Sequence, residues 1–448
     1  MFERRHGQIT RFMAPILLML IGGAGRLHAQ SPLESLVQQA LQNNPGLKAQ
    51  RAKVEAARQV PSQMKALPDP TADIEFMNIA VNGSSGSKAL TEGVSLGVTQ
   101  MLPFPGKRGL AANAAEREVV VESARLVTME QTIRSEILSA SYRYAMASEL
   151  LRINAQTTEA LKMTVESTLA RYTAGEGSQS DVLLAQSQVT QSAVQRRNLE
   201  SQRAVAKARV ESLRASPVED AALEQIELPV PSALPALEFL LSYASEHAPE
   251  VAVAQAEIGV AEARAEVARK AFKPDFMVGG RYRYKDMTMG GQDYLTAMVG
   301  ITLPFFHYKD RYRPGLDEAL QRKQGALEEM NETRNAARYK VAEAYQSADR
   351  DAKVFTLYDQ GLLLQARQGY DAALSAYRTG RAGFSALLMS VTSLYTVESD
   401  AVMARAEYHQ MVAEMEAVLG RPLSEIAPLA GEPPASTNPS FPSPLEKE

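Results

Sequence analysis

Arg171-Tyr172-Thr173-Ala174-Gly175-Glu176-Gly177-Ser178-Gln179-Ser180-Asp181-Val182-Leu183-Leu184-Ala185-Gln186-Ser187-Gln188 separates two long Ala-rich helical runs. Gly175 and Gly177 suit the close of the first run, because glycine takes left-handed backbone without a Cβ clash, and Ser178 and Ser180 offer hydroxyls to cap the next. The stretch reads as the tight bend of a very long helical hairpin. The bend returns as Ala376-Tyr377-Arg378-Thr379-Gly380-Arg381-Ala382-Gly383-Phe384-Ser385-Ala386-Leu387-Leu388, with Tyr-x-x-Gly repeated 205 residues on. Asn44-Pro45 is echoed by Ala248-Pro249 at an offset of 204, and Leu102-Pro103-Phe104 by Leu303-Pro304-Phe305 at 201. Three landmarks sharing nearly one offset mark a tandem duplication.

Two units follow, 30–216 and 237–421, joined by a Pro/Ala-rich linker at 217–236. The first carries a helix over 33–65 broken near Pro45, a β-hairpin over 71–101, a long helix over 107–172 and a return helix over 178–214. The second carries a helix over 237–272, a hairpin over 275–303, a long helix over 314–377 and a return helix over 384–419. In the hairpins apolar and polar residues alternate: Ala72, Ile74 and Phe76 against Thr71, Asp73 and Glu75, and later Leu295, Ala297, Val299 and Ile301 against Thr296, Met298 and Gly300. Strands of about ten residues suit either a half-buried sheet or a tilted crossing of a bilayer.

The 66 residues of 107–172 and the 64 of 314–377 would each reach about 100 Å at 1.5 Å per residue. Each remaining helix is about half as long. Summed lengths suggest 178–214 stacked end to end with 237–272, and 384–419 with 33–65, giving four staves with the linker at the mid-height joint. Four strands cannot close a membrane barrel, so the chain must oligomerise to remove its sheet edges.

Composition fits an extended helical architecture. The 448 residues include 6% aromatics, no Trp and no Cys, which excludes disulfides, thiolate metal sites and an acylated cysteine anchor. A net charge of −4 gives no nucleic-acid footprint. Residues 1–29 read as a cleaved export signal: a basic start (Arg4, Arg5, Arg11), a short apolar core and Leu27-His28-Ala29. Residues 422–448, rich in Pro, Ser and Glu, read as a disordered tail. No cofactor motif, metal-ligand spacing or catalytic constellation is present, and an enzyme is not expected.

The duplication, the Leu-Pro-Phe after each hairpin and the bend motif Tyr172-x-x-Gly175 … Asp181-Val182-Leu183-x-Ala185-Gln186 resemble the TolC-like outer membrane efflux proteins, from about Leu33 to Pro422. The resemblance implies a mainly α protein with a membrane β-barrel: a homotrimer sharing one 12-stranded barrel in outer membrane lipid above a 12-helix periplasmic tunnel. It implies the exit duct of a tripartite pump, reached through a periplasmic adaptor and an inner-membrane transporter. It also implies a periplasmic gate at the two bends, onto which Asp181 and Tyr377 map while Arg381 lies one position from the family's gate arginine, with Tyr172, Gly175, Ser178, Gly380 and Phe384 at the tip where the adaptor docks. Ala386 and Met389 stand where the family often places acidic residues, so no acidic selectivity ring is expected there. Asp73, Glu75, Arg281, Arg283 and Lys285 are expected to face the barrel lumen with balanced charge. The rival reading is a soluble periplasmic coiled-coil adaptor or tether, which would carry one hairpin rather than two. Met287, Met289 and His307 hint at soft metal cargo, against drugs, solvents or polypeptides.

Overall fold

The computed structural model describes residues 32–76, 94–284 and 292–430. The expected signal, the turn at 82–87, Lys285, Met287, Met289 and the chain from 431 on lie outside the described residues. Helices α1 (Pro32–Asn43) and α2 (Pro45–Lys65) lead to strands β1 (Thr71–Phe76) and β2 (Val94–Leu102). Helix α3 (Lys107–Thr173) follows, 67 residues long, and α4 (Gln179–Arg214) returns. The linker carries the short α5 (Asp220–Glu224). The second unit repeats the order with α6 (Leu237–His247), α7 (Pro249–Ala271), β3 (Phe276–Tyr284), β4 (Tyr294–Ile301), α8 (Arg313–Leu357), α9 (Leu363–Arg378) and α10 (Phe384–Leu419).

The repeat is imperfect. Where α3 runs uninterrupted, the second long helix is split by a π-turn at Tyr358–Leu362 and preceded by another at Tyr308–Tyr312. Such turns admit one extra residue into the helical ladder and mark places where it bends.

The half-helices stack differently from the length-matched expectation. Asn44 sits in the break between α1 and α2: its Oδ1 accepts the N–H groups of Gly46 and Leu47 at 2.8 and 3.2 Å, capping α2, while its Nδ2 donates to Leu213 O at 2.9 Å, closing the end of α4. The return helix of the first unit therefore abuts that unit's own first helix pair. The second unit does the same with other chemistry. Gly420, left-handed at φ 77°, ends α10 against Pro249 at the break between α6 and α7. A Cβ on Gly420 would lie 2.7 Å from Pro249 Cγ. Gly420→Ala adds that clash to a left-handed penalty of about 1–2 kcal/mol, whereas Gly175→Ala meets open space and carries the penalty alone. Thermal unfolding of the two variants is expected to show the larger drop in midpoint for Gly420→Ala.

The main core lies at this mid-height joint. Val37, Leu47, Ile137, Tyr144, Val210 and Leu223 are fully buried there, and the linker contributes Val218, Ile226 and Leu228. The strap after α5 is tied down by α10: Tyr408 OH donates to Ser232 O at 2.7 Å, and His409 stacks on Tyr142 with its Nε2 2.8 Å from Pro229 O. Burial pushes the His409 imidazole below its ordinary value, and because a carbonyl oxygen can only accept, Nε2–H is the donor to Pro229 O. A second core, with Leu240, Val341 and Met415, packs α6 against α8 and α10. Beyond Pro422, where a disordered tail was expected, the chain first forms α11 (Leu423–Ile426). Ile426 is fully buried in this second core and the Leu423 N–H donates to Glu416 Oε1 at 2.8 Å. The hydropathy of a Pro/Ser/Glu-rich stretch hides a single apolar anchor of this kind.

Candidate gate and membrane surface

Both bends close with one hydrogen-bond pattern. In the first, Gly175 N donates to Tyr172 O at 3.0 Å and Glu176 N to Arg171 O at 2.9 Å; in the second, Gly380 N donates to Tyr377 O at 3.1 Å and Arg381 N to Ala376 O at 2.8 Å. Gly175 and Gly380 take φ values of 76° and 69°. These are the paired backward bonds that close a helix on a left-handed glycine. Ser178 then caps α4, accepting the Asp181 N–H at 3.1 Å, whereas Gly383 opens α10 with no side-chain cap.

The side chains break the symmetry. Tyr172 is exposed while Tyr377, its counterpart, is 3% exposed. The Tyr377 hydroxyl lies 3.1 Å from Thr168 Oγ1, its carbonyl accepts from Arg171 Nη1 at 3.2 Å, and the Arg171 guanidinium sits 5.0 Å from its ring centroid. Phe384, placed at the docking tip on sequence grounds, is buried and meets Tyr377 edge-on, with Leu387 and Val391 beneath. It braces the bend from inside. Asp181 and Arg381 make no side-chain hydrogen bond or ion pair among the described residues, so Tyr377 is joined within the chain to Arg171 and Thr168 instead. Neither partner was singled out from sequence. The signal was in the repeat itself: the second unit has Ala376 and Ala373 where the first has Arg171 and Thr168.

At the far end of the helices the four strands form one antiparallel sheet in the order β1-β2-β3-β4, with β1 and β4 as free edges. The register puts Ile74, Leu96, Tyr282 and Leu295 in one row and Val278 and Val299 in another of the same parity. That face is apolar and uncovered: Leu295 is 83% exposed and Val299 84%. Tyr282 and Tyr284 lie at its hairpin end, while Phe305 and Phe306 stand exposed just beyond its helix end. Aromatic bands flanking an apolar belt are the pattern of a lipid-facing barrel wall.

The opposite face is polar. Asp73, Gly97, Arg281 and Thr296 form one row, and Glu75, Ser95, Arg283 and Tyr294 the next. Arg281 donates to Asp73 Oδ2 at 2.7 Å and also pairs with Glu75, whose Oε2 accepts from Ser95 Oγ at 3.3 Å. Arg281 and Asp73 meet across β2 because Gly97 lies between them; a Cβ there would sit 2.6 Å from Asp73 Oδ1. The structure brings Asp73, Glu75 and Arg281 into one cluster, with Arg283 on the same face.

The family model of outer membrane efflux proteins matches residues 36–215 and again 240–421. The chain belongs to the outer membrane efflux protein family. The double match falls on the two units of the duplication. The chain is 26% identical to the nickel and cobalt resistance protein CnrC of Cupriavidus metallidurans, over 76% of this chain and 79% of that protein. It is also 26% identical to the pyoverdine export outer membrane protein OpmQ of Pseudomonas aeruginosa, over 87% of this chain and 85% of that one. Among solved structures, the outer-membrane channel OprN superposes with a TM-score of 0.74 at 19% identity, covering 88% of this chain and 90% of that chain. As a member of this family the protein sits in the outer membrane of a Gram-negative bacterium, its helical bulk in the periplasm. No helix among the described residues is long and apolar enough to cross a membrane.

Proposed function

We propose that three copies of this chain close a 12-stranded barrel over a 12-helix periplasmic tunnel, forming the exit duct of a tripartite efflux pump. The observation that carries this is the four-stranded sheet with an exposed apolar face and two free edges. Unpaired strand edges are not tolerated in hydrocarbon, where no water can satisfy their N–H and C=O groups. Pairing β4 of each copy with β1 of the next removes every edge. The polar face then lines the lumen, where Asp73, Glu75, Arg281 and Arg283 balance in charge, so the barrel would discriminate weakly between anions and cations.

The two bends form the gate at the tunnel's periplasmic end. Within a subunit it is held by the links from Thr168 and Arg171 to Tyr377. Quasi-equivalence of the two units carries Tyr172 to the matching place against the next subunit's second hairpin, where alanines at 373 and 376 offer weaker contacts. Asp181 and Arg381, without a side-chain partner among the described residues, are positioned to pair across that boundary. An adaptor from an inner-membrane pump docks on the exposed tip around Tyr172, Gly175, Ser178 and Gly380. The two relatives are named for different tasks, nickel and cobalt resistance for one and pyoverdine export for the other, which supports a duct that passes whatever its pump delivers.

The experiment is the extraction and size of the mature protein. It should leave the membrane only in detergent, with three copies per particle, and conduct in planar bilayers. A monomer soluble without detergent would instead indicate the adaptor or tether.

A further inference from the structure

Phe76, Val94, Tyr284 and Tyr294 mark one end of the sheet, so all four strand-to-helix joins lie at the other, directly under the apolar belt. These joins, residues 65–70, 103–108, 269–275 and 302–313, hold nine Lys and Arg against three Asp and no Glu. In the sequence the two strand-to-strand connections, 77–93 and 285–293, hold two basic residues and three acidic ones. Among the described residues the excess of positive charge therefore lies at one rim of the belt.

Part of this charge is used internally. Lys107 pairs with Asp275 at 2.9 Å, Lys65 with Glu116 at 3.0 Å and Arg269 with Glu266 at 2.5 Å. The rest is not. Lys309, Arg311 and Arg313 are exposed and make no ion pair among the described residues, nor do Lys270 and Lys273. The segment bearing the first three also presents Phe305 at 63% exposure and Phe306 at 70%. Rings that favour the boundary between acyl chain and headgroup thus stand one helical turn from cations at headgroup depth.

We propose that this collar, centred on Phe305, Phe306, Lys309, Arg311 and Arg313, binds anionic diacyl phospholipids of the periplasmic leaflet of the outer membrane. The phosphodiester meets the basic side chains while the acyl chains follow the apolar sheet face above. Three features identify this occupant: the sign of the charge, its position at one rim, and its continuity with the lipid-facing surface. The inference rests on the outer membrane location and is independent of the gate.

The test is native mass spectrometry of the full mature protein in mild detergent, offered phosphatidylglycerol and phosphatidylethanolamine in equal amounts. The wild type is expected to retain phosphatidylglycerol at least about tenfold more than phosphatidylethanolamine. The triple substitution Lys309→Gln, Arg311→Gln, Arg313→Gln should abolish the preference, and Arg196→Gln with Arg197→Gln on distant α4 should leave it intact. Should the triple variant fail to fold, the wild type decides alone: salt at about 0.5 M, where screening shortens to a few ångströms, must erase its preference. Equal retention of both lipids by the wild type, a folded triple variant that keeps the preference, or a preference indifferent to salt would each overturn the proposal. So would equal competition by the free headgroup glycerophosphoglycerol, which would indicate a soluble-anion site.

Discussion

Arg171→Ala is expected to raise the conductance of the reconstituted protein more than Tyr377→Phe, and both to exceed the wild type. Tyr377→Phe deletes one hydroxyl, whose bond to Thr168 is worth about 1 kcal/mol. Thr168 is not orphaned by the loss, because its Oγ1 already donates to Thr164 O at 2.7 Å. An equilibrium between closed and open gates shifted by about 1 kcal/mol changes their ratio roughly fivefold. Arg171→Ala removes both the bond to the Tyr377 carbonyl and the guanidinium over its ring, together about 2 kcal/mol, or roughly thirtyfold. Tyr377 would also lose part of its cover, which loosens the packing against Phe384. Asp181→Ala tests the boundary between subunits: a rise in conductance there assigns its carboxylate to a link the single chain does not contain. Unchanged conductance in both Arg171→Ala and Tyr377→Phe, recorded in planar bilayers, would remove this contact from the gate.

Val299→Arg and Met298→Arg, at adjacent positions on β4, should behave oppositely. Val299 stands on the apolar face, in register with Val278; Met298 stands on the polar face, in register with Gly279. An arginine on the lipid side costs about 2–4 kcal/mol near the middle of the bilayer, while one on the water-filled side is tolerated. Val299→Arg is expected to lose most of its folded protein from outer membrane fractions, and Met298→Arg to keep it while tilting ion selectivity towards anions. Equal yields of the two variants would mean that the sheet is not a lipid-facing wall.

Much of this architecture is legible in local sequence. The bends could be read at Tyr172-x-x-Gly175 and Tyr377-x-x-Gly380 because a left-handed closing residue is nearly always glycine. The strands could be read because side chains alternate with a period of two, and the register confirms that Asp73, Glu75, Arg281 and Arg283 share a face. Less legible were contacts between distant segments. Which half-helices stack depends on Asn44 reaching Leu213 and on Gly420 admitting Pro249, pairs separated by 169 and 171 residues, and matching helix lengths carries no information about either. The π-turn at Tyr358–Leu362 is equally silent in sequence, for its residues are ordinary in a helix and only the surrounding packing favours the extra one.

Sequence alone determined the duplication, the hairpin and helix order and the two-faced strands, since each is set by periodicity, glycine stereochemistry or helix-compatible composition over a few tens of residues. Tertiary structure decided the rest: Tyr377 buried while Tyr172 is exposed, Phe384 inside the bend, Ile426 anchoring the start of the tail, and the Arg281 cluster drawn together across Gly97. The reason is common to all four. Two copies of one unit cannot occupy identical surroundings in a single chain, so equivalent residues meet different neighbours, and a side chain's partners follow from those neighbours rather than from its own segment.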